Sequence, residues 1–152
     1  ALAFDAYVYE RLLPVPNRED IFGKQQIMDQ TDRVIGTVEN LLINATSISF
    51  DDVFPLAASY GGIAYPAHVD KSSNSLLSNL GFVPPDSSFA CAEFHDFKNL
   101  HRIKKEHPYF EGCRIIRCSD AHYLWDIAEP EYQIRAESRN AADILAALVS
   151  VI

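Results

Sequence analysis

The sequence predicts an α/β fold in which mostly parallel strands alternate with helices, preceded by a β-rich segment. From Ser47 onward, short apolar runs alternate with helical patterns, and the connections are a few residues long. That alternation is the signature of βα units. Several of the apolar runs also end in side chains that carry chemistry: His68, Glu93, and Asp120 with His122. Ligands in such folds gather at the C-terminal ends of strands. Residues 1–46 lack the alternation and read as an N-terminal arm and β-rich segment, an insertion or connector, ahead of a β/α domain over 47–152.

The 152 residues suffice for a domain with a real core. A hydrophobic content of 48% with 22% charged residues argues against wholesale disorder. The formal charge of −8 and pI near 5.0 disfavour non-specific binding of nucleic acid through a basic surface, and nucleic acid is not the expected partner. An acidic site can still meet phosphate through a bound divalent cation. No run approaches the roughly 18 to 20 apolar residues of a membrane span, and no membrane partner is expected. The N-terminus carries no signal-peptide pattern. The single methionine is Met28, so the chain reads as a processed product or a piece of something longer. Cys91, Cys113 and Cys118 show no C-x-x-C spacing. They read as small buried hydrophobes in a reducing compartment, and a cytoplasmic location is expected.

Taken in order, Phe4, Tyr7, Val8 and Leu12 fit a short amphipathic helix that Pro14 and Pro16 terminate. Gln25 to Asp29 and Arg33 to Val38 flank a polar turn and predict a hairpin. A third apolar run covers Leu41 to Thr46. Ser49 is the expected N-cap of a helix with Val53, Leu56, Ala57 and Tyr60 on its apolar face, and Gly61-Gly62 stops it. Gly62 to Ala67 reads as a buried strand, and Leu76 to Phe82 as a short helix or ordered loop. Phe89 to Phe94 is the next strand. Asp96 caps a helix with Phe97, Leu100 and Ile103, ending near Pro108. Cys113 to Cys118 forms the strand that leads to Asp120. Tyr132 to Ala136 predicts a last strand, and Ser138 caps a final helix with Ala142, Leu145, Leu148 and Val149 on one side.

His68, Asp120 and His122 are the sharpest candidates for function. Residues i and i+2 of an extended segment face the same way, so Asp120 and His122 can serve one metal ion or a close pair. Imidazole and carboxylate together suit zinc, manganese or iron(II). Asp70 reads equally as a ligand, as a group that orients a ligand, or as a solvated loop carboxylate. Glu93 reads as a possible supporting carboxylate or as a satisfied group near the rim. Lys71 and Arg117 are possible contacts to a substrate phosphate. His95 reads as a lesser candidate for the same mouth, whereas His101 and His107 lie on a charged helix and read as solvent-facing. Tyr123 and Trp125 either pack on the wall or stack on a nucleobase. Ser75 and Ser119 lack a nucleophile-elbow context, and no glycine-rich phosphate loop is present.

Gly61-Gly62-Ile63-Ala64-Tyr65-Pro66-Ala67-His68, followed by Ser119-Asp120-Ala121-His122, resembles the PHP family (polymerase and histidinol phosphatase domains) of metal-dependent phosphoesterases. The segments Leu76 to Pro84 and His122 to Ile127 also look like bacterial members of that group. The resemblance spans about residues 47 to 136. It implies the C-terminal part of a distorted seven-stranded β/α barrel, a hydrolase that binds two or three metal ions, and His68, Asp120 and His122 as metal ligands. The implied substrate is a phosphomonoester or nucleotide. The family's first motif, H-x-H, occurs nowhere among the five histidines. About half the ligand set is therefore expected here, and activity is not expected of the chain alone. The alternative is a non-catalytic module that self-associates, or pairs with a partner, through an open sheet edge.

Overall fold

The computed structural model describes residues 2–150. It is mixed α/β with two small sheets and no closed barrel among the described residues. It divides into two compact units, Ala1–Val53 and Phe54–Ile152. No helix among the described residues is long and apolar enough to cross a membrane.

In the first unit, α1 (Leu2–Tyr9) places Phe4, Tyr7 and Val8 on its half-buried side, and Leu12 follows in the core. The following segment is not a free arm. Leu12 bridges Thr46 and Pro16 bridges Asn40, both antiparallel. The N–H of Leu13 donates to the Ala45 carbonyl at 3.2 Å, and that of Asn17 to the Glu39 carbonyl at 2.7 Å. Pro14 and Pro16 have no N–H, so the ladder stays a series of isolated bridges rather than a strand. The third apolar run, Leu41 to Thr46, is the partner in most of this pairing.

A short helix, α2 (Glu19–Phe22), ends at Gly23, whose φ of 75° suits glycine. The expected hairpin forms from β1 (Gln26–Met28) and β2 (Val34–Thr37), antiparallel, with a register shift between Ile27 and Met28. Its turn is held by Asp29, whose Oδ1 accepts from the N–H groups of Thr31 and Arg33 at 2.7 and 3.2 Å. The amide of Gln25 extends the pairing: Nε2 donates to the Val38 and Asn40 carbonyls, and Oε1 accepts from the Leu42 N–H.

α3 (Phe50–Ser59) carries the boundary between the units. Ser49 caps it as expected, accepting the Asp52 N–H at 3.2 Å. At its other end Gly61 has φ 73°. The Gly61 N–H donates to the Ala58 carbonyl and the Gly62 N–H to that of Ala57, the paired bonds of a Schellman motif.

The second unit is built on one parallel pair, β3 (Cys91–Phe94) and β4 (Arg114–Arg117), with Cys91 opposite Arg114 and Phe94 opposite Arg117. α4 (Leu76–Leu80) and α5 (Leu100–Glu106) precede and follow β3, and α6 (Ala141–Val149) is the last described element. The core is aromatic. Phe89 contacts Phe54, Tyr109 and Phe110 at ring distances of 5.6, 4.7 and 6.2 Å, and Phe94 meets Phe110 edge-on at 5.6 Å. Phe94, Phe110, Val69 and Cys91 are fully buried. Each of the two phenylalanines is worth about 1.5–3 kcal/mol by burial alone.

Three expectations need correction here. Gly62 to Ala67 is not a strand. Two backbone bonds tie the segment to β3: the Glu93 N–H donates to the Pro66 carbonyl and the Val69 N–H to the Glu93 carbonyl. The two bonds leave one residue too many between them for a regular parallel ladder, and His68 takes a left-handed φ of 30° in that gap. Tyr132 to Ala136 is also not a strand; these residues are exposed and pair with no strand, and Tyr132 packs edge-on against Phe97 at 4.7 Å. The mostly parallel sheet therefore reduces to a single parallel pair. Finally, α6 is capped by Asn140, which accepts the Asp143 N–H at 2.8 Å, and not by Ser138. Ala147 is its buried residue, while Ala142 and Val149 are exposed.

Candidate functional site

The parallel register ends β3 and β4 at the same level, so the loops after Phe94 and Arg117 leave from one edge. The segment Pro66 to Val69 lies along β3 and delivers His68 to that edge. Its position is fixed by the bonds to Glu93 and by the His68 N–H, which donates to Glu93 Oε1 at 3.3 Å. Glu93 is thus a buried anchor for the backbone of His68. Asp120 emerges from β4 with a left-handed φ of 49°.

These two strained positions face each other. Asp120 is surrounded by Lys71, whose Nζ donates to Oδ2, by His68 Nε2 at 4.0 Å from Oδ2, and by His122 Nε2 at 3.7 Å from Oδ1. The Lys71 hydrogen bond holds the Asp120 carboxyl below its usual range, against the opposing effect of burial. His68 is largely buried and its Nδ1 has no hydrogen-bond partner, while His122 is mostly exposed. The four side chains line a pocket of 340 Å³ together with Ser72, Ser73 and Asn74. That polar loop follows Lys71 directly. Sequence reasoning passed over it, although a run of small polar residues directly after His68, Asp70 and Lys71 was the available signal.

The remaining candidates fall elsewhere. Asp70 is turned toward the loop after β3: its carboxylate accepts the N–H groups of His95 and Asp96 at 2.7 and 2.8 Å, and Asn99 Nδ2 at 3.4 Å. It shapes the loops and does not line the pocket around Asp120. Arg117 points to a neighbouring cavity of 390 Å³ with His95, Asp96, Lys98 and Ser119. There it donates to the His95 carbonyl, pairs with Glu131 at 3.3 Å, and lies over the Tyr132 ring at 4.8 Å. Tyr123 and Trp125 stack on each other, 4.9 Å apart and 3° from parallel, in an exposed stretch. His101 is exposed, and His107 is half-buried against Phe110.

In kind, two imidazoles and a carboxylate fit a divalent ion of the zinc, manganese or iron(II) type. In arrangement, no group of three His, Cys, Asp or Glu among the described residues is set to hold a metal. Oδ2 of Asp120 is in the grip of the Lys71 ammonium instead. Comparison of the chain with protein-family models, with curated proteins and with solved structures gives no match in any of the three.

Proposed function

We propose that this chain carries part of a metal-dependent phosphoesterase centre of the PHP type, acting on a phosphomonoester or nucleotide, within the C-terminal part of a β/α barrel. The observation that carries the reading is the convergence of His68 and Lys71 with Asp120 and His122 in one pocket, from segments about 50 residues apart in sequence. A divalent ion in such a centre supplies an acidified water and neutralises phosphate charge. The chain's own contribution is a set of donors, His68 Nε2, His122 Nε2 and the Asp120 carboxylate. Lys71 supplies an ammonium for a phosphate oxygen, and Ser72, Ser73 and Asn74 supply polar groups on the same wall. With no H-x-H in the sequence, the other ligands would have to come from outside these residues. The chain alone is expected to hold metal weakly and to lack activity. The free thiols of Cys91, Cys113 and Cys118 suit a reducing compartment, and cytoplasmic location belongs to the same proposal.

Elemental analysis tests this directly. Wild-type chain dialysed to equilibrium against manganese or zinc is expected to hold metal above the level of the outer buffer, and His68→Ala and Asp120→Ala each to hold less. Equal metal in all three proteins would refute the reading.

A second reading, an interaction module, is favoured by one region. Among the described residues, no backbone segment pairs with the outer edge of β4. Leu124 and Trp125 beyond it are 84% and 80% exposed. Such an edge is a template for another strand. Sedimentation is expected to show a dimer or larger species at high concentration, reversed by Trp125→Asp. A monomer throughout would exclude self-association.

A further inference from the structure

The pocket around Asp120 holds a cation of its own. Lys71 donates to Oδ2, the same oxygen that His68 Nε2 faces at 4.0 Å. The position of Lys71 is set by the fold. Its N–H donates to the His68 carbonyl at 3.0 Å, and its carbonyl accepts Ser75 Oγ at 2.8 Å. Ser75 is in turn buried as the N-cap of α4, in a capping box with Ser78. The backbone on both sides of the ammonium is therefore pinned, while the side chain itself is 33% exposed and has a route to solvent.

We infer that Lys71 is a built-in competitor for the metal position: its ammonium neutralises Asp120 when no ion is present, and it must release Oδ2 before an ion can bind. The inference rests on the metal-centre reading above and adds what regulates occupancy of that centre. Two cations cannot share one carboxylate oxygen at contact distance without strong mutual repulsion. A lysine suits the exchange better than an arginine. Its charge is compact and its four-carbon stem flexible, whereas a guanidinium would grip both oxygens in a fork. Once released, the ammonium stays within the pocket wall formed by Ser72, Ser73 and Asn74. A phosphate oxygen would meet it there. The same residue thus guards the empty centre and is free to bind substrate only when the centre is filled.

The test is calorimetric titration of the 152-residue chain with manganese and with zinc, comparing wild type, Lys71→Met, Lys71→Arg and Asp120→Asn. Circular dichroism checks that each variant keeps its secondary structure. Removing a like charge beside a divalent ion is expected to tighten binding by about tenfold in Lys71→Met, while Lys71→Arg binds no more tightly than wild type. Asp120→Asn is expected to lose binding. Equal or weaker binding by Lys71→Met, with binding still lost in Asp120→Asn, overturns the inference and leaves the metal centre standing. No binding by any of the four proteins overturns both. A readout that needs no variant comes from nuclear magnetic resonance of the lysine ammonium groups. The Lys71 signal, held by Asp120 in the metal-free chain, is expected to shift or vanish on addition of zinc. An unchanged signal at saturating zinc overturns the inference.

Discussion

Replacing Asp70 tests whether the loops at the strand ends are set by one carboxylate. Asp70 accepts two backbone N–H groups, from His95 and Asp96 at 2.7 and 2.8 Å, and a longer bond from Asn99 at 3.4 Å. Asp70→Ala leaves those donors without an acceptor. A hydrogen bond to a charged group is worth about 1.5–3 kcal/mol, and a stranded donor costs about as much. Because Asp70 is only half-buried and His95 is exposed, water recovers part of that loss. The expected destabilisation is about 2–3 kcal/mol for Asp70→Ala and about 1 kcal/mol for Asp70→Asn, which keeps one acceptor oxygen. The assay is urea unfolding followed by far-ultraviolet circular dichroism. Fluorescence would be a poor probe, since Trp125 is already exposed in the folded chain.

The pH dependence gives an independent check. Burial raises the Asp70 carboxyl, but the bonds from His95, Asp96 and Asn99 outweigh it and leave it below its ordinary value of 3.8. A carboxyl depressed by folding stabilises fully above its unfolded value and loses that contribution as pH falls through the folded one. The stability gap between wild type and Asp70→Asn should therefore narrow as pH falls below about 4. A change under about 0.5 kcal/mol for Asp70→Ala, or a gap that widens in acid, would refute the reasoning.

Two further outcomes follow from packing. Phe110 is fully buried between Phe89 and Phe94, so Phe110→Ala is expected to cost about 3–5 kcal/mol in urea unfolding; a cost under about 1 kcal/mol would mean that the aromatic core is not packed as described. Burial pushes the Cys91 and Cys113 thiols up to about 11, while Cys118 is exposed. At pH 8 a thiol reagent is expected to modify Cys118 promptly and the other two only on unfolding, and mass spectrometry of the folded chain showing rapid triple modification would contradict that.

Local chemistry was legible wherever a residue's own neighbours decide its structure. Ser49 caps α3, two apolar runs around a polar turn make the β1–β2 hairpin, and the runs before Phe94 and Arg117 are strands. The misses share a different cause. Gly62 to Ala67 has the composition of a buried strand, but Pro66 supplies no N–H and His68 turns the chain out of register. The pairing of Leu12 to Asn17 with Glu39 to Ser47 was hidden because Pro14 and Pro16 erase the strand pattern on one side of it. The paired His and Asp after two apolar runs were enough to associate His68 with Asp120 and His122, which line one pocket, although the first run is not a strand. It was not enough to show that Lys71 reaches Asp120, since that depends on where a long side chain points across 49 residues of sequence. Nor could it show that Arg117, equally charged and equally close to a strand end, turns to Glu131 and Tyr132 instead.

The left-handed backbones at His68 and Asp120 bear on how this chain would fare under selection. Glycine adopts such angles without a steric penalty, whereas residues with a Cβ do not. A library sorted only for resistance to heat would therefore be drawn toward glycine at positions 68 and 120. Those are two of the side chains that give the pocket its chemistry. Stability screening and retention of the pocket would pull these two codons in opposite directions, and only a screen that also scores binding would keep them.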